Sequence, residues 1–306
     1  MTTETAKDDQ QPLVSIGIPT YNRADSLARA IASALNQTYR SIEVIVSDNA
    51  SNDDTELVCR QAMQRDPRLR FQRVQQNQGP ISNFREVLRL ASGEYFMWLS
   101  DDDWLDADYV AECLSRLRAS PDTSLVGGRP QYIRNGRPVD VGSTVRVCAV
   151  RPWQRVFSYY MQVADNGIFY GLTRTSQLRK VPLRREIAGD WLLVGGLAYQ
   201  GNIETLNEVT VHRALGGASA SYAKICRTLG LPRRHAFVPE LTVALNVARD
   251  VMVRGDVFAA CRKTERMFWG SLLFVAVCGR LLALTLWRRL IKSFHALWCH
   301  LRRVEP

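Results

Sequence analysis

Five carboxylates fall within eight residues of the stretch YFMWLSDDDWLDADY: Asp101, Asp102, Asp103, Asp106 and Asp108. They follow directly on an apolar run, Tyr95 to Leu99, whose composition suits burial. Like charges this close repel one another, and the loss is recovered only when a metal ion, basic side chains or water lie among them. Two more aspartates stand in telling places. Asp48 closes the β-rich run IEVIVSD, and Asp190 precedes the apolar segment Trp191 to Tyr199. Two or three aspartates at a strand end suit Mg2+ or Mn2+, which bind through few carboxylates plus ligand oxygens. A single carboxylate at the start of a helix suits a cap.

These groups act together only if the chain brings their segments to one place. LVSIGIP reads as a first strand that stops at Pro19, a residue strand interiors reject. RADSLARAIASALNQ then sets Leu27, Ala30, Ile31, Ala34 and Leu35 on one helical face, with Asn22 or Asp25 as its cap. IEVIVSD, LRFQRV and YFMWLS read as further strands. DDTELVCRQAMQR and GPISNFREVLRLASG read as the helices between them. The first opens with acidic residues that favour a helix N-terminus, and the second has Pro80 near its start and Gly93 just past its end. Strand alternating with helix predicts an α/β, doubly wound, mainly parallel sheet with helices on both faces. Ligands of such sheets bind beyond the carboxyl ends of the strands. Thr20-Tyr21-Asn22, Asp48-Asn49 and Asp101 to Asp103 all arrive at that edge.

Two usual occupants of the edge are disfavoured. The turn after the first strand, PTYNRA, has no glycine, so a G-x-G-x-x-G dinucleotide loop is missing, and no GxxxxGK[ST] loop occurs. Without a glycine cradle or a Walker lysine, a diphosphate bound here calls for a metal held on carboxylates. Further along, LVGGRPQYIRNGRPVDVG reads as a hairpin around RNGR. The segment Trp191 to Tyr199 reads as a helix with a glycine stop at Gly201.

VSIGIPTYNR, SIEVIVSDNASNDDT, NQG followed by NFREVLRLASGEYFMWLSDDDW, and a later AGDW occur in the order carried by the family 2 glycosyltransferases. The chain resembles that family over about residues 12–215. The resemblance implies a GT-A fold and inverting transfer from a nucleoside-diphosphate sugar to a saccharide acceptor, expected to be lipid-linked. It implies that Pro19, Tyr21 and Arg23 border the base and ribose and that Asp48 hydrogen-bonds the base. Asn77 and Gly79, with Arg85 behind them, would close the nucleotide pocket. The family's DxD element falls on Ser100-Asp101-Asp102, with serine in place of the first aspartate. Asp102 is the expected metal ligand for Mn2+ or Mg2+, Asp103 a second one, and Asp101 a further nucleotide or metal contact. Asp190 takes the position of the catalytic base, and Gly189 stands where the family often has glutamate. His212 and Arg213, in VHRALGGASAS, are candidate phosphate contacts on a flexible loop. Plainer readings stand beside these: Asp48 and Asp190 as caps, Tyr21 as a packing aromatic and Arg85 as a solvated charge. Two rival functions also stand, a catalytically silent nucleotide-sugar-binding scaffold and a sugar nucleotidyltransferase.

The net charge of +10 is concentrated at one end. From Arg227 onward there are 14 Lys/Arg against 5 Asp/Glu, whereas the first 226 residues hold 26 against 25. This distribution argues for a local partner surface and against nucleic acid. Residues 1–11 are expected as a disordered lead and 12–226 as the transferase domain, with its nucleotide half at about 12–104 and its acceptor half at about 105–226. Residues 227–306 are expected as a basic helical tail, with two helices separated at Gly255. Met267 to Trp287 is 21 residues long and interrupted by Arg280. It is expected to lie in the plane of an anionic membrane, with Trp269, Trp287 and Trp298 at the interface; a membrane span and a helix packed on the catalytic domain or a partner are the alternatives. Arg288, Arg289, Lys292, Arg302 and Arg303 would meet the headgroups. The seven cysteines show no CxxC pattern, and the polar N-terminus shows no apolar signal core. The expected location is therefore cytoplasmic, on the inner face of the plasma membrane.

Overall fold

The computed structural model describes residues 11–215 and 221–301, and side chains throughout these except at 288, 289 and 292–301. Strands β1 (Val14–Thr20), β2 (Ile42–Asp48), β3 (Leu69–Arg73) and β4 (Tyr95–Trp98) alternate with helices α1 (Ala24–Leu35), α2 (Thr55–Arg65) and α3 (Pro80–Leu90). The second half adds β5 (Trp104–Leu105), α4 (Tyr109–Ala119), the hairpin of β6 (Thr123–Arg134) and β7 (Arg137–Val141), β8 (Arg146–Val147) and α5 (Pro152–Gln162). It continues through β9 (Leu172–Arg174), α6 (Thr175–Leu178), α7 (Gly189–Gln200) and β10 (Asn202–Ala214).

Among the described residues the strands form one sheet ordered β3-β2-β1-β4-β9-β6-β10-β5, with β7 beside β6 and β8 beside β10. β1 pairs in parallel with β2 and β4, and β2 with β3. β9 is antiparallel to both β4 and β6, and β10 is parallel to β6. Two reversals restore direction, so β6 and β10 run with β4. The carboxyl ends of β1, β2, β4, β6 and β10 therefore open on one edge.

Side-chain alternation sorts the strands onto two cores. Val14, Ile16 and Ile18 meet Leu27, Ala30, Ile31 and Ala34 of α1 on one face. Ile45, Phe96 and Trp98 meet Val87 of α3, Tyr159 of α5 and Leu192 of α7 on the other. All seven residues of β1 are buried, as both-sided coverage of a parallel strand requires.

Several local expectations are corrected. β1 does not stop at Pro19 but runs on to Thr20. Pro19 is tolerated because β4 pairs only with Val14 to Gly17, which leaves that side of β1 with no ladder partner at residue 19. Neither Asn22 nor Asp25 caps α1. Asp53, from the turn before α2, accepts the Ala24 amide at 3.1 Å instead. Gly201 ends α7 without a left-handed cap. Its backbone is extended, and a Cβ there would come within 2.5 Å of the Asp122 carbonyl. The RNGR hairpin forms as expected, with Asn135 and Gly136 both at positive φ, as a two-residue turn demands.

The C-terminal region holds three longer helices, α8 (Tyr222–Leu229), α9 (Pro239–Arg249) and α10 (Lys263–Leu301), the last running without a break through Met267 to Trp287. A π-helical turn, Asp250–Arg254, extends α9 to the expected break at Gly255. Val243, Val247, Leu273 and Val277 from α9 and α10 enter the same core as α5 and α7. Trp153 of α5 stacks on Phe258 and Trp269 and donates to Glu265 at 2.7 Å. Arg280, expected to burden a membrane segment, turns inward and donates to the Val163 carbonyl at 2.8 Å. Leu273 is 0% exposed, so Leu273→Ala is expected to destabilise the whole protein by about 2–5 kcal/mol in urea titration. A loss near zero would mean that α10 is only loosely docked. Arg302 and Arg303, at the outer end of the expected membrane contact, lie outside the described residues, as do the side chains of Arg288, Arg289, Lys292 and Trp298.

Candidate active site

The site grows from the ends of β1 and β2. Asp48 is fully buried, and its Oδ1 accepts from the Ser51 amide at 2.9 Å and the Ser51 hydroxyl at 2.5 Å. Oδ2 has no hydrogen-bond partner among the described residues and lies 3.6 Å from Arg73 Nε. A buried carboxylate oxygen left without a donor is costly, so a ligand N–H there gains a strong, charge-assisted bond. Asn83 of α3 ties the strand ends together by donating to the carbonyls of Thr20 and Ser47. Asn49 shapes the neighbouring turn. Its Nδ2 donates to Asn77 at 2.9 Å and its Oδ1 accepts from the Gln78 amide at 2.9 Å. Asn77 in turn accepts from the Gly79 amide at 2.8 Å, and Gly79 takes φ 83°, which opens α3 at Pro80. Pro19 is buried, while Tyr21, Arg23 and Asn77 are exposed around this end of the sheet. Two nitrogens of Arg85 donate to the Leu183 carbonyl, at 3.0 and 2.6 Å.

The aspartate run follows β4, and its three members differ. Asp101 lies against the Thr20 hydroxyl and the Tyr21 amide, and burial, then the Asp102 charge, push its carboxyl up to about 6. Asp102 is half-buried, and its Oδ1 accepts from Ser100 Oγ at 2.6 Å. The serine that replaces the expected first aspartate thus orients the second. Arg29, held over the Trp104 ring at 3.8 Å, donates to the Asp102 carbonyl at 3.1 Å. Asp103 is occupied differently. Oδ1 accepts from the Ala214 amide at 2.9 Å and Oδ2 faces Arg213 Nε at 3.5 Å. Burial pushes its carboxyl up to about 7 against the pull of Arg213. Of the two expected metal ligands, only Asp102 keeps an oxygen free of protein donors among the described residues.

His212 and Arg213 sit on β10, not on a flexible loop. The reason is pairing: both continue the parallel ladder to β6, and His212 also pairs with Trp104 of β5. His212 stacks on Trp104 and lies 2.8 Å from Asp106, which fixes it structurally. Arg213 lies over the rings of Tyr132 and Tyr170 and meets the Tyr132 hydroxyl at 3.2 Å. The glycine-rich continuation, residues 216–220, lies outside the described residues.

Asp190 occupies the first turn of α7. It is not the cap, because Ala188 holds that position with φ 60°. Gly189 is required by space, since a Cβ there would fall 2.2 Å from the Arg184 carbonyl. Asp190 is half-buried, and desolvation raises its carboxyl pKa. Asn166, the amides of Asp190 and Trp191, and the Arg213 charge pull the other way. Arg213 links the two parts of the site: it faces Asp103 at 3.5 Å and lies 5.0 Å over the Tyr170 ring, in the 3-10 turn that opens at Asn166, whose Nδ2 donates to Asp190 at 2.8 Å.

Ser51, Arg29, Tyr170 and Asn166 carry no local signal in the sequence, whereas Asn49 does, as the residue after Asp48 at a strand end.

Residues 15–187, more than half of the chain, match the family described as Glycosyl transferase family 2. A chondroitin synthase from Escherichia coli is 40% identical over 115 residues, 38% of this chain and 17% of that protein. A GalNAc(5)-diNAcBac-PP-undecaprenol beta-1,3-glucosyltransferase from Campylobacter jejuni is 41% identical over 95 residues, 31% of each. The matched segments thus span less than a third of either relative. Among solved structures, S. aureus TarS 1-349 in complex with UDP-GlcNAc superposes with a TM-score of 0.62 at 17% identity, covering 87% of this chain and 72% of that one. That likeness is one of fold.

Proposed function

Because the chain belongs to the family 2 glycosyltransferases, we propose that it moves a sugar, with inversion, from a nucleoside-diphosphate sugar to a saccharide acceptor carried on a lipid. The observation that carries this reading is the convergence on one sheet edge of a buried Asp48 with a free oxygen, a half-buried Asp102 and a half-buried Asp190. The UDP-GlcNAc bound by TarS and the undecaprenol acceptor of the Campylobacter enzyme support the donor and acceptor classes.

In this reading Asp48 and the Asn77–Gly79 turn hold the base and ribose. The acceptor hydroxyl attacks the anomeric carbon from the face opposite the diphosphate. As the new C–O bond forms, its proton passes to Asp190, and the old C–O bond breaks with its electron pair leaving on the diphosphate. The transition state has oxocarbenium character, as in glycoside hydrolysis. Asp102 and Asp101 are hard oxygen ligands, and no three His, Cys, Asp or Glu side chains converge as a closed metal cage among the described residues. Such a set fits a Mg2+ or Mn2+ ion that takes its other ligands from donor phosphates. When bound, the ion supplies stabilisation of the charge on the leaving diphosphate.

The outward side of α10 supports docking to a bilayer surface. Phe268, Leu272, Val275, Leu282, Leu286 and Leu290 are exposed along it, while Arg266 and Arg280 turn inward onto the carbonyls of Val251 and Val163. Lys263–Trp287 is also long and apolar enough to cross a membrane, with mean hydropathy 1.9 in an 18-residue window. Its packing on Trp153 and Val163 favours the in-plane arrangement. With the basic tail added, an anionic, cytoplasm-facing membrane is the matching partner.

A donor panel tests the function. UDP-, GDP- and dTDP-sugars are each incubated with Mn2+ and a lipid extract, and release of nucleoside diphosphate is followed. Lipid-stimulated release from one donor class is the expected result. Folded protein that releases none of them would leave the silent scaffold as the better reading.

A further inference from the structure

We propose that Asn166 is a positioning residue for the transfer reaction: it holds one oxygen of Asp190 so that the carboxylate stays ionised and aimed at the acceptor. The inference rests on Asp190 being the base. Asn166 is 2% exposed and sits between α5 and the 3-10 turn Gly167–Tyr170, 24 residues before Asp190. Its Nδ2 donates to Asp190 Oδ2 at 2.8 Å, and its Oδ1 accepts from the Tyr159 hydroxyl at 2.8 Å. The amide can face only one way, because an ionised carboxylate accepts and never donates. Turned over, it would set its carbonyl oxygen against the carboxylate.

The segment around Asn166 is built to hold that side chain still. Its backbone is left-handed, φ 51° and ψ 35°, a conformation asparagine tolerates better than most residues. Its carbonyl accepts from the Phe169 amide at 3.0 Å, closing the turn. The preceding Asp165 is pinned on both oxygens, by the Ser143 amide and hydroxyl at 2.9 and 2.7 Å, and by the Gly167 amide at 3.2 Å. Tyr159 is itself fully buried in α5. The donor aimed at the base is therefore fixed by packing before any substrate arrives, which is what pre-organisation requires.

The other groups that face Asp190 are Tyr159 and Tyr160 from α5, Tyr170 from the 3-10 turn, and Arg213 from β10. The tyrosines do not titrate near neutrality, since burial raises each of them. Asp250, from the π-helical turn, acts on Tyr160 behind them. Asn166 and Arg213 are thus the side chains that counter the desolvation of the Asp190 carboxylate. Arg213 also serves Asp103, whereas Asn166 has no other carboxylate partner.

The test is the pH profile of kcat/KM, read as nucleoside diphosphate release with the donor selected by the panel above. Asn166→Gly keeps the left-handed backbone free of strain and deletes both the donor to Asp190 and the acceptor of the Tyr159 hydroxyl, two losses that Tyr159→Phe separates. It is expected to lower kcat about tenfold or more at neutral pH and to move the acid limb upward by about one pH unit. UDP affinity should stay within about twofold of native, because a lost hydrogen bond to the base leaves the donor pocket intact. Tyr159→Phe releases the Asn166 carbonyl without touching Asp190, so its limb should move the same way by less. This variant decides the matter if the glycine variant does not fold. A uniform fall in kcat with the acid limb unmoved would make Asn166 a structural turn residue and overturn the proposal. Asp190→Asn is run beside them. If it retains native activity, the base assignment fails and this inference with it. If Asp190→Asn is inactive while both other profiles are native, only the role of Asn166 fails.

Discussion

Asp190→Asn is expected to lose roughly 10²- to 10⁴-fold in kcat, the usual contribution of a positioned general base, while nucleoside diphosphate binds with unchanged affinity. The substitution conserves shape and can still meet Asn166, so a fold defect is a poor explanation for the loss. Asp190 is also not the cap of α7, which removes the usual cost of about 1 kcal/mol for losing one. The pH dependence makes the result sharper. A base works only when ionised, and burial raises the Asp190 carboxyl above the ordinary aspartate range. Native kcat/KM should therefore decline as pH falls through that raised value, and the residual activity of the variant should show no such limb. The measurement is kcat/KM across pH 4.5 to 8 at about constant ionic strength, beside UDP titration of both proteins. A variant within a few-fold of native would show that proton removal is not the work of this carboxylate. The acceptor oxygen would then have to lose its proton directly to solvent.

Much of the nucleotide half could be read from the chain because its information is local. β1 to β4 and α1 to α3 declare themselves within single windows of alternating or 3.6-residue periodicity, and the polar residues that matter sit one to three positions past a strand end. Asp48, Asn49 and Asp101 to Asp103 are found this way. Errors there were of capping and boundary, such as Asp53 reaching across to Ala24, because such contacts join segments 29 residues apart.

The acceptor half resisted reading for the same reason run in reverse. Asp103 is engaged by Arg213 and Ala214, 110 and 111 residues away, and Asn166 reaches Asp190 only because α5 and α7 share a core. No periodicity announces those meetings. β10 was mistaken for a loop since its glycine-rich continuation dominates the composition, whereas pairing to β5 and β6 on its two sides fixes His212 and Arg213. Arg280 taught a related lesson. A charge inside an apolar helix looks expensive in one dimension, but a single carbonyl at Val163 accommodates it once the partner helix is known. The inward turn of both arginines leaves the outer face of α10 apolar over several turns.

Asp102→Ala is expected to abolish the Mn2+-dependence of nucleotide binding and to lower kcat/KM by about three powers of ten or more. That is the scale of a metal's several kcal/mol of stabilisation on the leaving diphosphate. The neighbouring aspartates provide the contrast, because the three carboxylates have different work. Asp102 has one oxygen held by Ser100 and one without a protein donor, so its removal deletes a ligand and breaks no internal ion pair. Asp103 is the reverse case, 2% exposed and bound to Arg213 and the Ala214 amide. Asp103→Ala would strand a buried guanidinium, at a cost of about 3–5 kcal/mol that appears as lowered stability. Isothermal titration with UDP, in Mn2+ and again in EDTA, separates the two when combined with thermal unfolding. Native protein should bind more tightly with Mn2+, Asp102→Ala should bind equally weakly in both, and Asp103→Ala should melt early yet keep its metal response. Equal binding with and without metal in the native protein would move neutralisation of the diphosphate from Asp102 to arginines, with Arg29 and Arg213 in contact with the aspartate run. A metal response retained in Asp102→Ala but lost in Asp103→Ala would instead require the Asp103–Arg213 pair to open when donor binds.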